Sequence, residues 1–220
     1  MNERVKSVLF MFAITLVCTA ALAAVDLANR ERIARNQELK LEKVILSVLG
    51  LLPGPDPGAE EIARLYGQRV KELTVGGRRV YLGYRPGGGG VTAVAFPVSG
   101  PGFWGPIYGL AAVDPQAVKL VGLAFYQHNE TPGLGARITE PWFTKQFQGL
   151  HLALPAGNRK FFHLRPPGAA AGPGELDAIT GATETSTRLE KFLNQDLEEF
   201  LAQTWTNPAL QRALHQALKG

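Results

Sequence analysis

The sequence predicts an α+β fold: a single domain with a mostly antiparallel sheet and packed helices, preceded by an N-terminal transmembrane helix and a helical stalk. Three observations carry that prediction. Residues Val8–Val25 hold no charge. Between Arg78 and Gln127, short apolar runs alternate with turns containing Gly and Pro, the pattern of antiparallel hairpins. From Thr187 onward, Leu189, Phe192, Leu193, Leu197, Phe200 and Leu201 recur at helical spacing. The expected divisions are a cytoplasmic tip and transmembrane helix over residues 1–25, a helical stalk and connecting helix over 26–75, a folded domain over 76–205 and a C-terminal tail over 206–220.

As a helix, Val8–Val25 spans about 27 Å, close to the hydrocarbon thickness of a bilayer. Arg4 and Lys6 precede it, so the N-terminus is expected in the cytoplasm and the rest on the periplasmic side of the inner membrane. Ala21–Ala24 offers small residues suited to signal cleavage. The run is long for a signal peptide, however, and the pattern continues without a breaker until Gly50, which favours a retained anchor. Asp26–Lys43 mixes both charge signs and reads as a solvated stalk or a partner-docking helix. Val44–Leu51 is strongly apolar, and Pro53, Pro55 and Pro57 end it. Glu60–Glu72 reads as a short helix with Ile62, Leu65 and Tyr66 on one face.

Arg78–Tyr84 and Val91–Val98 form a first hairpin around Pro86–Gly90. That glycine run lacks the Lys-Ser/Thr and the following helix of a phosphate-binding loop, so it reads as a turn. Ile107–Asp114 and Val118–Gln127 make a second pair across Pro115. Glu140–Leu150 reads as helical, anchored by Trp142, Phe143 and Phe147. Arg165–Glu175 is a loop, and Thr187 with Glu190 matches a capping box at the start of the last helix.

Composition removes several functions. The formal charge is +4, and the basic residues form no stripe, which argues against nucleic-acid binding. Cys18 is the only cysteine, so no intrachain disulfide forms; it lies in an apolar run, which disfavours a catalytic thiol. Thr15-Leu16-Val17 lacks the small residue expected before a lipoprotein cysteine. His128, His151, His163 and His215 are scattered, with no spacing of metal ligands. Serine-hydrolase, zinc-protease and dinucleotide-binding signatures are absent.

Two stretches carry chemistry. His128–Ile138, "HNETPGLGARI", follows an apolar strand directly. Gly133 and Gly135 permit close backbone approach to a flat or anionic ligand, Pro132 stiffens the turn, and Glu130 adds a charge. An ordinary strand-to-helix turn has the same composition. Asp177–Ser186, "DAITGATETS", opens the last helix, where free N–H groups and the helix dipole favour an anion. Thr180, Thr183 and Thr185 each offer a hydroxyl there. Simple helix capping also explains them.

Together these stretches resemble the FMN-binding domain shared by the C subunit of the Na⁺-translocating NADH:quinone reductase (Nqr) and the G subunit of the Rnf complex. "DAITGATETS" resembles the flavinylation motif, "NETPGLG" the second signature near the flavin, and "GPGFWGPIYG" (Gly100–Gly109) the "GKGLW…MYG" stretch of the Nqr protein. "NQELKLEKVILSVLGL" (Asn36–Leu51) is similar to the segment after the membrane helix of that same protein. Phe103, Trp104 and Tyr108 favour the Nqr side; the short chain is unusual for it.

The resemblance implies FMN held covalently, by a phosphodiester to Thr183. It implies further contacts from Asp177, Thr180, Gly181, Ala182 and Thr185, and from Glu130, Thr131, Pro132, Gly133, Leu134 and Gly135, with no metal and no catalytic residue. It also implies other membrane subunits as partners, a flavin transferase for maturation, and an electron-relay role inside a cation-translocating oxidoreductase. The competing readings are an Rnf G-type protein, a stand-alone electron-transfer flavoprotein, and a non-redox membrane-tethered binding or assembly protein.

Overall fold

The computed structural model describes residues 2–54, 57–87, 90–152 and 160–217. Pro55 and two glycines of the Pro86–Gly90 turn lie outside the described residues, as do the last three residues of the expected tail. The chain divides into two compact units, residues 1–40 and 41–220. The first unit is helical over its described residues from Glu3 onward. It belongs to α1 (Glu3–Val48), which contains a stretch long and apolar enough to cross a membrane, none of it buried. The last residues of α1 belong to the second unit, and Gly50 at φ +69° turns the chain away after Leu49.

The second unit is built on an antiparallel sheet in the order β1-β2-β3-β4-β5. Its strands are β1 (Val70–Val75), β2 (Arg78–Tyr84), β3 (Val91–Pro101), β4 (Pro106–Val113) and β5 (Leu120–Gln127). Both expected hairpins therefore form, and short turns leave each strand beside its neighbour in sequence. Period-2 alternation gives the sheet two buried faces. On one face lie Leu82, Val94, Phe96, Val98, Ala111, Leu123 and Phe125, in register across β2 to β5. On the other lie Tyr81, Ala95, Ala112 and Gly122.

Small residues on that second face admit the end of α1 at close range. A Cβ at Gly122 would stand 2.2 Å from the Val48 carbonyl oxygen, and one at Gly83 would stand 3.1 Å from Leu49 Cδ2. Ile45, Leu46, Val48 and Leu49 are buried accordingly. α2 (Ala59–Arg69) follows, with Ile62 and Leu65 buried.

The first face is covered by α3 (Pro141–Lys145), by α4 (Thr183–Glu199) and by the π-helical turn Phe200–Trp205 that continues it. Phe200 stacks on Phe96 with ring centroids 3.6 Å apart. Phe192 sits so close to β3 that a Cβ on Gly100 would stand 2.2 Å from its Cγ. Asp196 accepts the Ser99 N–H at 2.7 Å. The buried Asn194 amide accepts the Phe161 N–H at 2.7 Å and donates to the Phe162 carbonyl at 3.1 Å. A parallel pair, β6 (His163–Arg165) and β7 (Glu175–Asp177), lies beside α4.

Four local expectations are corrected. The helix expected to reach Glu72 ends at Arg69, because β1 pairs with β2 from Val70↔Gly83 onward. The Glu140–Leu150 helix is confined to Pro141–Lys145; the chain continues in turns to Gly149 at φ +84°. α4 starts at Thr183, so Thr187 lies inside it and forms no capping box. The Glu190 carboxylate instead takes the Leu164 N–H at 2.7 Å and Lys160 Nζ at 2.6 Å. Finally, the segment after 206 carries α5 (Pro208–Ala217), whose Leu210 and Leu214 are buried in the core.

Candidate functional site

β7 delivers the "DAITGATETS" stretch to the start of α4. The Gln146 side chain clamps the Asp177 backbone on both sides: Oε1 accepts its N–H at 2.8 Å and Nε2 donates to its carbonyl at 3.2 Å. The Asp177 carboxylate takes the Gly168 N–H at 2.8 Å and so fixes the Pro/Gly loop. The chain then turns, with the Ala182 N–H donating to the Ile179 carbonyl at 3.1 Å and Gly181 at φ +75°. That backbone conformation suits glycine, and a Cβ there would stand 3.1 Å from Leu134 Cδ2.

Ala182 precedes α4 and offers no side-chain cap, so the first N–H groups of the helix are left for other acceptors. The hydroxyls of this segment have different fates. Thr185 is buried and donates to Glu130 Oε2 at 2.5 Å. Ser186 is buried and accepts the Ile179 N–H at 3.2 Å. Thr180 and Thr183 are exposed.

Glu130 is the centre of the second stretch. It is only 5% exposed, and both oxygens are engaged. Oε1 accepts Phe103 N–H at 2.8 Å and Trp104 N–H at 3.1 Å; Oε2 accepts the Thr185 hydroxyl. Bonds to an ionised carboxylate are the stronger kind, and burial raises the cost of losing one. Two glycines make room for it. A Cβ on Gly102 would stand 2.4 Å from Oε1, and one on Gly135 would stand 2.6 Å from Oε2 and from Thr185 Oγ1. Gly135 was expected to admit a ligand at close range; what packs against it in this structure is Glu130 and Thr185. Gly133 is different: it has open space and a φ of +74°, so the backbone alone requires glycine there.

The Gly102–Gly105 turn carries Phe103 and Trp104, both exposed and in edge contact at 4.9 Å between centroids. Arg188, on α4, holds this turn from the other side. Its Nη1 donates to the Gly102 carbonyl at 3.3 Å, its guanidinium lies 5.9 Å from the Phe103 ring centroid, and its Nε lies 3.6 Å from Glu184 Oε2.

These segments enclose a cleft of about 370 Å³ lined by Phe103, Trp104, Glu130, Thr131, Leu134, Gly135 and residues 181–185. Of the residues singled out by sequence, it gathers Glu130, Thr131, Leu134, Gly135, Gly181, Ala182, Thr183 and Thr185. Asp177, Thr180, Pro132 and Gly133 are not in its lining. A larger hollow, about 470 Å³, lies against Pro208–Gln216 of α5 and contains none of the singled-out residues. The cleft therefore joins two motifs that stand about fifty residues apart in sequence.

Gln146, Gly102, Glu184 and Arg188 were not legible as site residues. Phe103 and Trp104 were noted only as part of the family-like stretch; an aromatic pair flanked by glycines was the available signal. The residues suit a ligand with an anionic tail and a flat apolar body. A helix N-terminus without a cap meets the tail, and Phe103, Trp104 and Leu134 offer apolar surface to the body.

An FMN-binding domain model matches residues 102–198, the span that contains the whole cleft. The C subunit of the Na(+)-translocating NADH-quinone reductase of Yersinia pestis is 25% identical, covering 97% of this chain and 94% of that protein. Its counterpart from Chlamydia caviae is 42% identical over 98 residues, which span 44% of this chain and 28% of that protein. Among solved structures, the counterpart from Parabacteroides distasonis superposes with a TM-score of 0.66 at 23% identity, covering 78% of this chain and 94% of that one. NqrC of Shewanella oneidensis gives 0.63 at 21%, covering 74% and 91%. Both structures share this fold. Residues 102–198 thus match the FMN-binding domain family, and the chain over nearly its whole length is similar to the C subunits of the Na(+)-translocating NADH-quinone reductases.

Proposed function

We propose that this chain is a membrane-anchored subunit that carries FMN on Thr183 and relays electrons within an ion-translocating, Nqr-type NADH:quinone reductase. The observation that carries the reading is the cleft. It unites the Glu130–Gly135 turn with Gly181–Thr185 at the N-terminus of α4, inside the span that matches the FMN-binding domain.

Bound FMN supplies the one- and two-electron chemistry; the chain supplies position and surroundings. Thr183 offers an exposed hydroxyl at the first residue of α4, where a phosphodiester meets the positive end of the helix. Thr185 and Ser186 are withdrawn by their own hydrogen bonds. Glu130, the buried carboxylate of the cleft, spends both oxygens on the Phe103 and Trp104 N–H groups and the Thr185 hydroxyl rather than on Thr183. Attachment therefore needs an external flavin transferase acting on FAD. The Thr183 oxygen bonds to the FMN phosphorus, AMP leaves, and the hydroxyl proton passes to a base of the transferase. The tether keeps the flavin from diffusing away outside the cytoplasm.

The apolar stretch of α1 supports anchoring, and Arg4 and Lys6 before it support a cytoplasmic N-terminus with Thr183 outside. Other membrane subunits of the complex are the expected electron partners. The test is co-expression of the full chain with and without an exported flavin transferase. A fluorescent flavin band should survive denaturing electrophoresis only with the transferase. A non-fluorescent band in its presence contradicts the proposal.

A further inference from the structure

We propose that Glu130 is a positioning residue that latches the Phe103–Trp104 turn to the start of α4 and thereby holds the aromatic wall of the cleft. The proposal deepens the flavin reading and rests on it for its first readout. One carboxylate joins two segments distant in sequence from its own: it takes two consecutive N–H groups of the turn and the hydroxyl of Thr185, in the first turn of α4. The turn is otherwise short of anchors. It closes on itself through the Gly102 N–H to the Gly105 carbonyl at 2.8 Å, and Arg188 holds the Gly102 carbonyl. Phe103 and Trp104 are 47% and 65% exposed, so burial does little to hold them. The glycines at 102 and 135 leave room for the carboxylate that a Cβ at either position would take. With both oxygens spent on protein groups, Glu130 acts on a ligand through the wall it holds.

The test uses the full chain carrying flavin, with Glu130→Ala and Glu130→Gln. Trp104 lines the cleft, so a flavin held there should be quenched by it, and native wild-type emission should lie below that of the denatured protein. Glu130→Ala should raise native emission severalfold while covalent flavin, read on the denatured band, persists. Glu130→Gln keeps an acceptor for the two N–H groups and should restore quenching. Thr185→Val serves if Glu130→Ala fails to fold; it removes one arm of the latch and should raise emission partway. A second readout needs no flavin. In a Trp142→Phe, Trp205→Phe background, acrylamide should quench Trp104 faster in Glu130→Ala than in the parent. Wild-type chain that lacks covalent flavin after co-expression with the exported transferase sinks the function proposed above, and the Trp104 measurement still decides the latch. Folded Glu130→Ala or Thr185→Val protein with unchanged flavin emission and unchanged Trp104 quenching overturns it.

Discussion

Thr180, Thr183 and Thr185 carry the same hydroxyl and differ only in where the backbone leaves it. Thr185 is buried against Glu130; Thr180 is exposed but outside the cleft lining; Thr183 is exposed and within it. Sequence pattern ranked them only through a family resemblance, because burial and partners depend on residues about fifty positions away. Thr183→Ala is expected to abolish covalent flavin while changing apo stability by no more than about 0.5 kcal/mol, as for an ordinary exposed position. Thermal unfolding of the apo protein measures the second part. The neighbouring glycines separate two causes that their spacing did not. Gly135→Ala must displace Glu130 or Thr185 and is expected to cost about 1–3 kcal/mol. Gly133→Ala meets no atoms, and its positive φ should cost roughly 1–2 kcal/mol. Urea midpoints report both. A Gly135→Ala protein as stable as wild type would contradict the crowding at Glu130.

At the scale of elements, β2 to β5 were legible and β1, β6 and β7 were not; α2 and α3 start within one residue of expectation but end short of it, and α4 starts earlier than its pattern suggests. Alternation and turn residues write a hairpin locally, so β2 to β5 could be read directly. The capping box at Thr187 and Glu190 was a correct local pattern with the wrong outcome: α4 begins earlier, and tertiary partners claim the Glu190 side chain. Burial disfavours the Glu190 charge. The Lys160 hydrogen bond, the Leu164 N–H and the charges of Lys160 and His163 outweigh that effect, so its carboxyl titrates below the ordinary glutamate value. A folded-state value below the unfolded one means stability that is complete above the ordinary glutamate range and is lost as pH falls through the lowered value. Glu190→Gln should therefore lower stability near neutral pH and flatten the acid limb between the ordinary value and the lowered one. An acid limb as steep as wild type would remove Glu190 from the account. Because Glu190 ties α4 to β6, and β6 pairs with β7, the same change should loosen the approach to the Ile179–Ala182 turn.

The whole molecule joins an apolar helix to a domain whose sheet is buried on both faces. The helix was legible from charge alone. The apolar run Val44–Leu51 was legible, but its role in covering Gly83 and Gly122 was not, because that packing joins segments distant in sequence and no local pattern marks it. A fragment of residues 41–220 keeps that cover and should unfold cooperatively. A fragment beginning at residue 53 loses Ile45, Leu46, Val48 and Leu49, each worth about 1.5–3 kcal/mol of burial, and should aggregate or unfold. Circular dichroism melts of the two compare them directly. Reporters fused to the C-terminus should be active only in the exported form, since Arg4 and Lys6 precede the apolar stretch. The readings of the cleft, the anchor and the relay role all turn on the covalent flavin proposed at Thr183, and peptide mass spectrometry of the tryptic fragment ending at Arg188 tests it most directly. After co-expression with an exported transferase, the fragment should carry one FMN mapped to Thr183, and Thr183→Ala should carry none. Flavin mapped to Thr180 or Thr185, or surviving in Thr183→Ala, would contradict the account.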